Sequence, residues 1–153
     1  MEQLEHPRER IWSERQLWFQ ERENVSAQRG APAPSEQSCA LMIDVQSAFC
    51  AGAFSAVVII TAAIVQAQIK ESGEEQNALA SVPPEELAWL NKLRNKLVHG
   101  DKRSPGLTIA DQWHNRGEWE DKARRAILIA FDVLYPEQGK GATRRIRKVV
   151  REG

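Results

Sequence analysis

Three polar residues close together in one helical stretch have the types and spacing to do chemistry: Arg94, Asn95 and His99, in the run RNKLVHG that ends at Gly100. Asn95 and His99 stand one helical turn apart, so their side chains meet on one face, with Arg94 beside it. A histidine at a helix C-terminus feels the negative end of the macrodipole, which favours its protonated form and suits a proton donor. Arg94 conflicts with its surroundings. At about 100° per residue, Leu87, Leu90, Leu93, Leu97 and Val98 form a broad apolar arc with Arg94 close to its centre. A guanidinium stays charged and is costly to bury, so Arg94 must find a carboxylate, a wet cleft or a partner subunit. Ordinary structural roles exist for both residues: Arg94 paired with an acid on a neighbouring helix or packed along its stem with the head in water, and His99 bonding the last carbonyls of its helix.

The helix that carries them is clearly bounded. Ser81, Val82, Pro83 and Pro84 precede Glu85 and Glu86, a start favoured by proline's fixed backbone angle and by the helix dipole, and Gly100 is the stop. Before it, no charge occurs between Asp44 and Lys70, and residues 48–65 (AFCAGAFSAVVIITAAIV) are nearly all apolar or small. This segment reads as one long helix ending near Gly73. By length it is able to span a bilayer. Its alanine content, Ser55, Thr61, Gln66 and Gln68, and the lack of an aromatic belt or basic flank favour a buried central helix instead.

Other segments also read as helical, and strand-like alternation is absent. Residues 7–25 place Ile11, Trp12, Arg15, Trp18, Phe19 and Arg22 along one stripe expected to dock on the bundle. Residues 30–38 (GAPAPSEQS) read as a semi-extended linker. Beyond the polar loop 101–106 and a mixed stretch through Trp113 and His114, residues 118–134 put Ala123, Ala126, Ile127, Ala130, Val133 and Leu134 on one face before Pro136. The expected organisation is therefore all-α: an N-terminal helix and linker (1–38), a helical bundle (39–136) and a basic tail (137–153).

Composition narrows the function classes. A chain of 153 residues, 42% hydrophobic, supports one domain with a real core. Zero formal net charge removes any overall pull toward nucleic acid or an anionic membrane, so local clusters must supply it. Cys39 and Cys50 form no CxxC pair and no cluster with histidine, which argues against a zinc site or a disulfide scaffold and fits a reducing cytoplasm. The first residues lack the apolar core of a secretory signal. No metal and no cofactor are indicated.

RNKLVHG resembles the Arg-x4-6-His motif of the HEPN superfamily, including the polar residue, here Asn95, directly after the arginine. The position of the motif toward a helix end, and the Ala/Val/Ile-rich helix before it, resemble HEPN bundles as well. Together they cover about residues 44–134. The resemblance implies a HEPN-like up-and-down bundle of four to five helices, here with an extra N-terminal helix. HEPN proteins are often homodimers in which two motifs meet in a cleft and cut RNA without metal. RNA supplies its own nucleophile, the 2'-OH, so such a protein needs proton transfer and charge stabilisation. Arg94, Asn95 and His99 are the catalytic expectation: His99 as general acid or base, Arg94 on the phosphoryl oxygens, Asn95 orienting the phosphate or the imidazole. A place at the dimer interface would also explain an arginine amid leucines.

Lys102 and Arg103, just past the motif, are expected phosphate contacts. The tail offers Arg144, Arg145, Arg147 and Lys148, which either grip RNA phosphates or form a solvated end. Trp113 is expected to pack over the bundle, with His114 beside it a weaker candidate for base stacking or proton transfer. The functional expectation is a ribonuclease, in the family often the toxin of a toxin-antitoxin or phage-defence pair whose partner is a nucleotidyltransferase-type antitoxin. The alternatives are a non-cleaving HEPN module that binds RNA or nucleotide or mediates assembly, and a single-pass membrane or helix-bundle interaction protein in which the motif is accidental.

Overall fold

The computed structural model describes residues 6–71 and 81–138, and every regular element among them is helical. Six α-helices follow one another: α1 (Glu9–Ala27), α2 (Glu36–Ala51), α3 (Phe54–Glu71), α4 (Pro84–His99), α5 (Ile109–His114) and α6 (Arg116–Leu134).

The long apolar segment is two helices, not one. Gly52 ends α2 in the left-handed conformation, φ 81°. Its N–H donates to the Phe49 carbonyl, while that of Ala53 reaches back to Ala48 at 2.8 Å, the paired bonds of a Schellman turn. A side chain would be strained at that φ, and a Cβ there would lie 2.7 Å from Arg116 Nη2. The proline-rich linker is also shorter than expected: the Ser35 hydroxyl accepts from the Ser38 N–H, so α2 begins at Glu36.

Side-chain bonds fix the relative directions of the helices. Ser38 at the start of α2 lies 3.4 Å from Gln68 near the end of α3, so these two are antiparallel. Arg15 bonds Glu120 and Arg29 bonds Asp132, which sets α1 parallel to α6. The Ser81 hydroxyl accepts from the Glu137 N–H, beyond the end of α6, so α4 runs antiparallel to α6. The starts of α1, α3 and α6 and the ends of α2 and α4 therefore gather at one end of the bundle.

The core lies where α3 packs on α2 and α6. Val45, Phe49, Val57, Val58, Ile64, Ala123, Ile127, Ala130 and Val133 are fully covered. All six residues expected on the inner face of the last helix are buried, joined by Trp119, Ile129 and Phe131. Thr61 is buried without penalty because its hydroxyl bonds the Val57 carbonyl at 2.8 Å. The α1 stripe docks as expected through Phe19, whose ring meets Phe131 edge-on at 5.2 Å, while Ile11 and Trp12 at its start remain exposed.

Among the described residues α3 is a helix long and apolar enough to cross a membrane. In the bundle it supplies the centre of the core, with seven of its eighteen residues buried and five exposed. Ile59, for example, is 38% exposed.

Candidate functional site

Helix α4 begins as its sequence predicts, with Pro84 in the first turn followed by Glu85 and Glu86, and it ends at His99. Leu90 is its one buried residue; Leu87, Leu93 and Leu97 are half-buried and Val98 is exposed. With so little burial, α4 depends on a clamp to α6. Arg125 donates to both Glu86 oxygens, at 2.9 and 2.6 Å, and its guanidinium stacks 4.0 Å from the centre of the Trp89 ring. That bidentate bond holds the Glu86 carboxyl below the usual carboxylate range.

Arg94 is half-buried, and among the described residues it makes no ion pair. Its Nη1 donates instead to Asn95 Oδ1 at 2.9 Å. Asn95 and His99 are exposed and share one wall of an open depression of about 550 Å³, with Lys92 and Lys96 on the same helix. Asp101 and Ser104 of the following loop form the far wall. Asn95 and His99 thus come together as expected, whereas Arg94 does not line the depression and connects to it through Asn95.

The loop is held against the helix end. Asp101 Oδ1 accepts from the N–H groups of Arg103 and Ser104, at 2.8 and 2.9 Å, in an Asx turn. Gly106 packs directly on the Lys96 carbonyl, where any Cβ would collide with backbone. Lys102 and Arg103 are exposed on this loop but do not line the depression. Arg144, Arg145, Arg147 and Lys148 lie outside the described residues.

Two features were missed from the sequence. Lys92 and Lys96 supply the positive charge of the depression, and their spacing to His99, two turns and one, was the available signal. The second is α5, opened by a capping box in which Thr108 and Asp111 bond each other's backbone N–H. The Thr-x-x-Asp pattern announces it. Bonds from the Asn115 amide first, then from the Thr108 backbone and hydroxyl, hold the Asp111 carboxyl down at about 2. Trp113 does not pack over the bundle as expected. The residue is 52% exposed.

Chemically, the depression offers an imidazole, an amide and two ammonium groups on one helix face against one carboxylate, with a guanidinium bonded behind the amide. That set suits an anionic group with a proton to be moved beside it. Comparison with family models, with curated proteins and with solved structures finds no match to this chain.

Proposed function

We propose that this protein is a metal-independent endoribonuclease of HEPN type that works as a homodimer. The observation that carries this is Arg94: a half-buried arginine whose head bonds the amide of Asn95, the residue that stands one turn from His99 in the wall of a cationic depression. Of the two ordinary structural roles, pairing with an acid is not seen for Arg94 among the described residues.

The chemistry follows from RNA itself. The 2'-oxygen attacks the adjacent phosphorus as the 2'-OH proton leaves, and the bond to the 5'-oxygen breaks as that oxygen gains a proton. The products are a 2',3'-cyclic phosphate and a 5'-hydroxyl. His99 serves one of these transfers and its symmetry mate the other. Arg94 stabilises the charge that grows on the phosphoryl oxygens once a second copy closes the site and excludes water. Asn95, bonded to Arg94 and neighbouring His99, orients the phosphate between them. Lys92 and Lys96 draw the strand in.

Dimerisation is supported by one partly uncovered surface, the exposed Val98 with the half-buried Leu97 and Leu93 beside Arg94. One observation favours a second reading, an RNA-binding module that does not cut: Arg94 stands outside the depression that His99 lines.

The test is cleavage of a mixed RNA pool in EDTA by the purified protein and its His99→Ala and Arg94→Ala variants, with product ends identified. Cyclic-phosphate ends that vanish in both folded variants uphold the ribonuclease. RNA binding without cutting by a folded dimer transfers the assignment to the binding module.

A further inference from the structure

A second set of charged groups lies at the α2–α3 turn, at the same end of the bundle as His99. Arg15 of α1 bonds Glu120 Oε1 through Nε at 2.8 Å and the Cys50 carbonyl through Nη1 at 3.3 Å. Arg116, at the start of α6, bonds the Gly52 carbonyl through Nη2 at 2.7 Å and Gln112 Oε1 through Nη1 at 2.9 Å. Both guanidiniums lie against the same Phe54 ring, 5.0 and 4.7 Å from its centre. A point one Cβ length off Gly52 is 3.3 Å from Arg15 Nη1 and 2.7 Å from Arg116 Nη2, so the two charged heads are neighbours.

The charges do not balance. Glu120 is shared by Arg15 and Arg124, the latter at 3.8 Å, while Arg116 forms no ion pair among the described residues. Three guanidiniums therefore face one carboxylate. The negative end of α2 contributes only about half a charge, and the positive ends of α3 and α6, which start here, oppose it. The site is part-buried, with 14% of the Arg15 side chain exposed, so water and salt screen the repulsion poorly. Burial, and then the neighbouring Arg15, pull the Arg116 guanidinium below its ordinary value.

A guanidinium carries five N–H donors, and each of these two arginines spends two on protein acceptors among the described residues. The remaining donors have no protein acceptor among the described residues, and guanidinium N–H groups match phosphate oxygens. Two exposed indoles stand on neighbouring turns of the chain. Trp12 lies one turn before Arg15 on α1, and Trp113 adjoins Gln112, the residue bonded to Arg116. Arginine forks beside exposed aromatic rings are the combination that holds single-stranded nucleic acid, phosphate by phosphate and base by base.

We propose that Arg15 and Arg116, meeting over Phe54, form a phosphate-binding subsite for an RNA strand, with the Trp113 ring as the stacking platform for an adjoining base. The proposal rests on the RNA reading above and extends it. A strand held at His99 continues across the same end of the bundle onto the arginine pair, so this subsite supplies grip away from the bond that is cut.

The experiment measures binding of a fluorescently labelled single-stranded RNA of mixed sequence, in EDTA, to the His99→Ala protein, which binds without cutting, and to the same protein carrying Arg116→Gln or Trp113→Ala. Each added change is expected to weaken binding, Trp113→Ala by at least about fivefold, the low end for loss of a base stacked on an aromatic ring. Arg116→Gln also flattens the plot of log affinity against log salt by about 0.7. Because Arg116 caps α2, thermal melts accompany the titrations, and Trp113→Ala, whose ring is exposed, decides the matter if Arg116→Gln melts early. Parent binding unchanged by either substitution overturns the subsite and leaves the Arg94–His99 reading standing. Loss of affinity at the subsite, with no cutting by the wild type, upholds the subsite and removes the ribonuclease. Stabilisation of the parent but not of Arg116→Gln by inorganic phosphate, with RNA affinity unchanged, assigns the pair to free phosphate and overturns the RNA assignment.

Discussion

Helices α4 and α6 are both amphipathic by sequence, yet the bundle treats them differently. Nine of the nineteen residues of α6 are buried, against one of the sixteen in α4. An apolar arc on α6 is spent inside the monomer, while the arc on α4, with Arg94 in it, is left half open. Periodicity reports that a face is apolar. It does not report what will cover it, and on α4 the half-covered arc holds Arg94 while Asn95 and His99 lie on the polar face.

The comparison can be broken most forcefully at α4's end. His99→Ala and Arg94→Ala are expected to reduce RNA cleavage on the order of 10²- to 10⁴-fold while urea midpoints stay near that of the wild type. A large drop in stability in either variant would mean that this end of α4 is structural after all.

Next in size is a contrast of core positions. Phe131→Ala in α6 is expected to cost about 3–5 kcal/mol, the range for a buried aromatic, since its ring is 1% exposed and packed on Phe19. Leu97→Ala in α4 is expected to cost well under half of that in a dilute, monomeric sample. Urea denaturation gives both values, and equal costs would abolish the distinction between the two helices.

Val98→Asp tests what covers α4. Val98 is 47% exposed, so an acid there is expected to leave the monomer's melting temperature almost unchanged and to shift sedimentation from dimer toward monomer. An unaltered dimer would move the interface elsewhere on the surface.

The smallest expected effect concerns α5, the element that links the two helices. The folded Asp111 carboxyl is held at about 2 against 3.8 unfolded, so its contribution is complete above 3.8 and disappears as pH falls toward 2. Wild type is expected to lose more melting temperature across that window than Asp111→Asn, by a small margin. Parallel pH profiles would show that the capping box does not contribute.

These elements also show what could be read in advance. The six inner positions of α6 were legible because a regular spacing over four turns leaves one consistent face. The limits of α4 were legible because Pro83, Pro84 and Gly100 act locally. The α2–α3 turn was not. Gly52 is buried beneath Arg15 and Arg116, so the chain stays apolar through the turn and hydropathy does not dip. At the candidate site, spacing placed Asn95 beside His99. The Arg94 to Asn95 bond was not readable, because adjacent helical residues do not ordinarily face each other.

By itself the sequence determined the helical class, the ends of α4, the inner face of α6 and the placing of Asn95 and His99 on one face, all consequences of interactions within a few residues. Only the tertiary structure decided that the apolar run folds into two helices, that Arg94 has an amide for a partner, that Trp113 faces outward and that Arg15 meets Arg116 across a hundred residues of chain. Burial and charge pairing depend on which elements become neighbours, and that depends on the packing of the whole bundle.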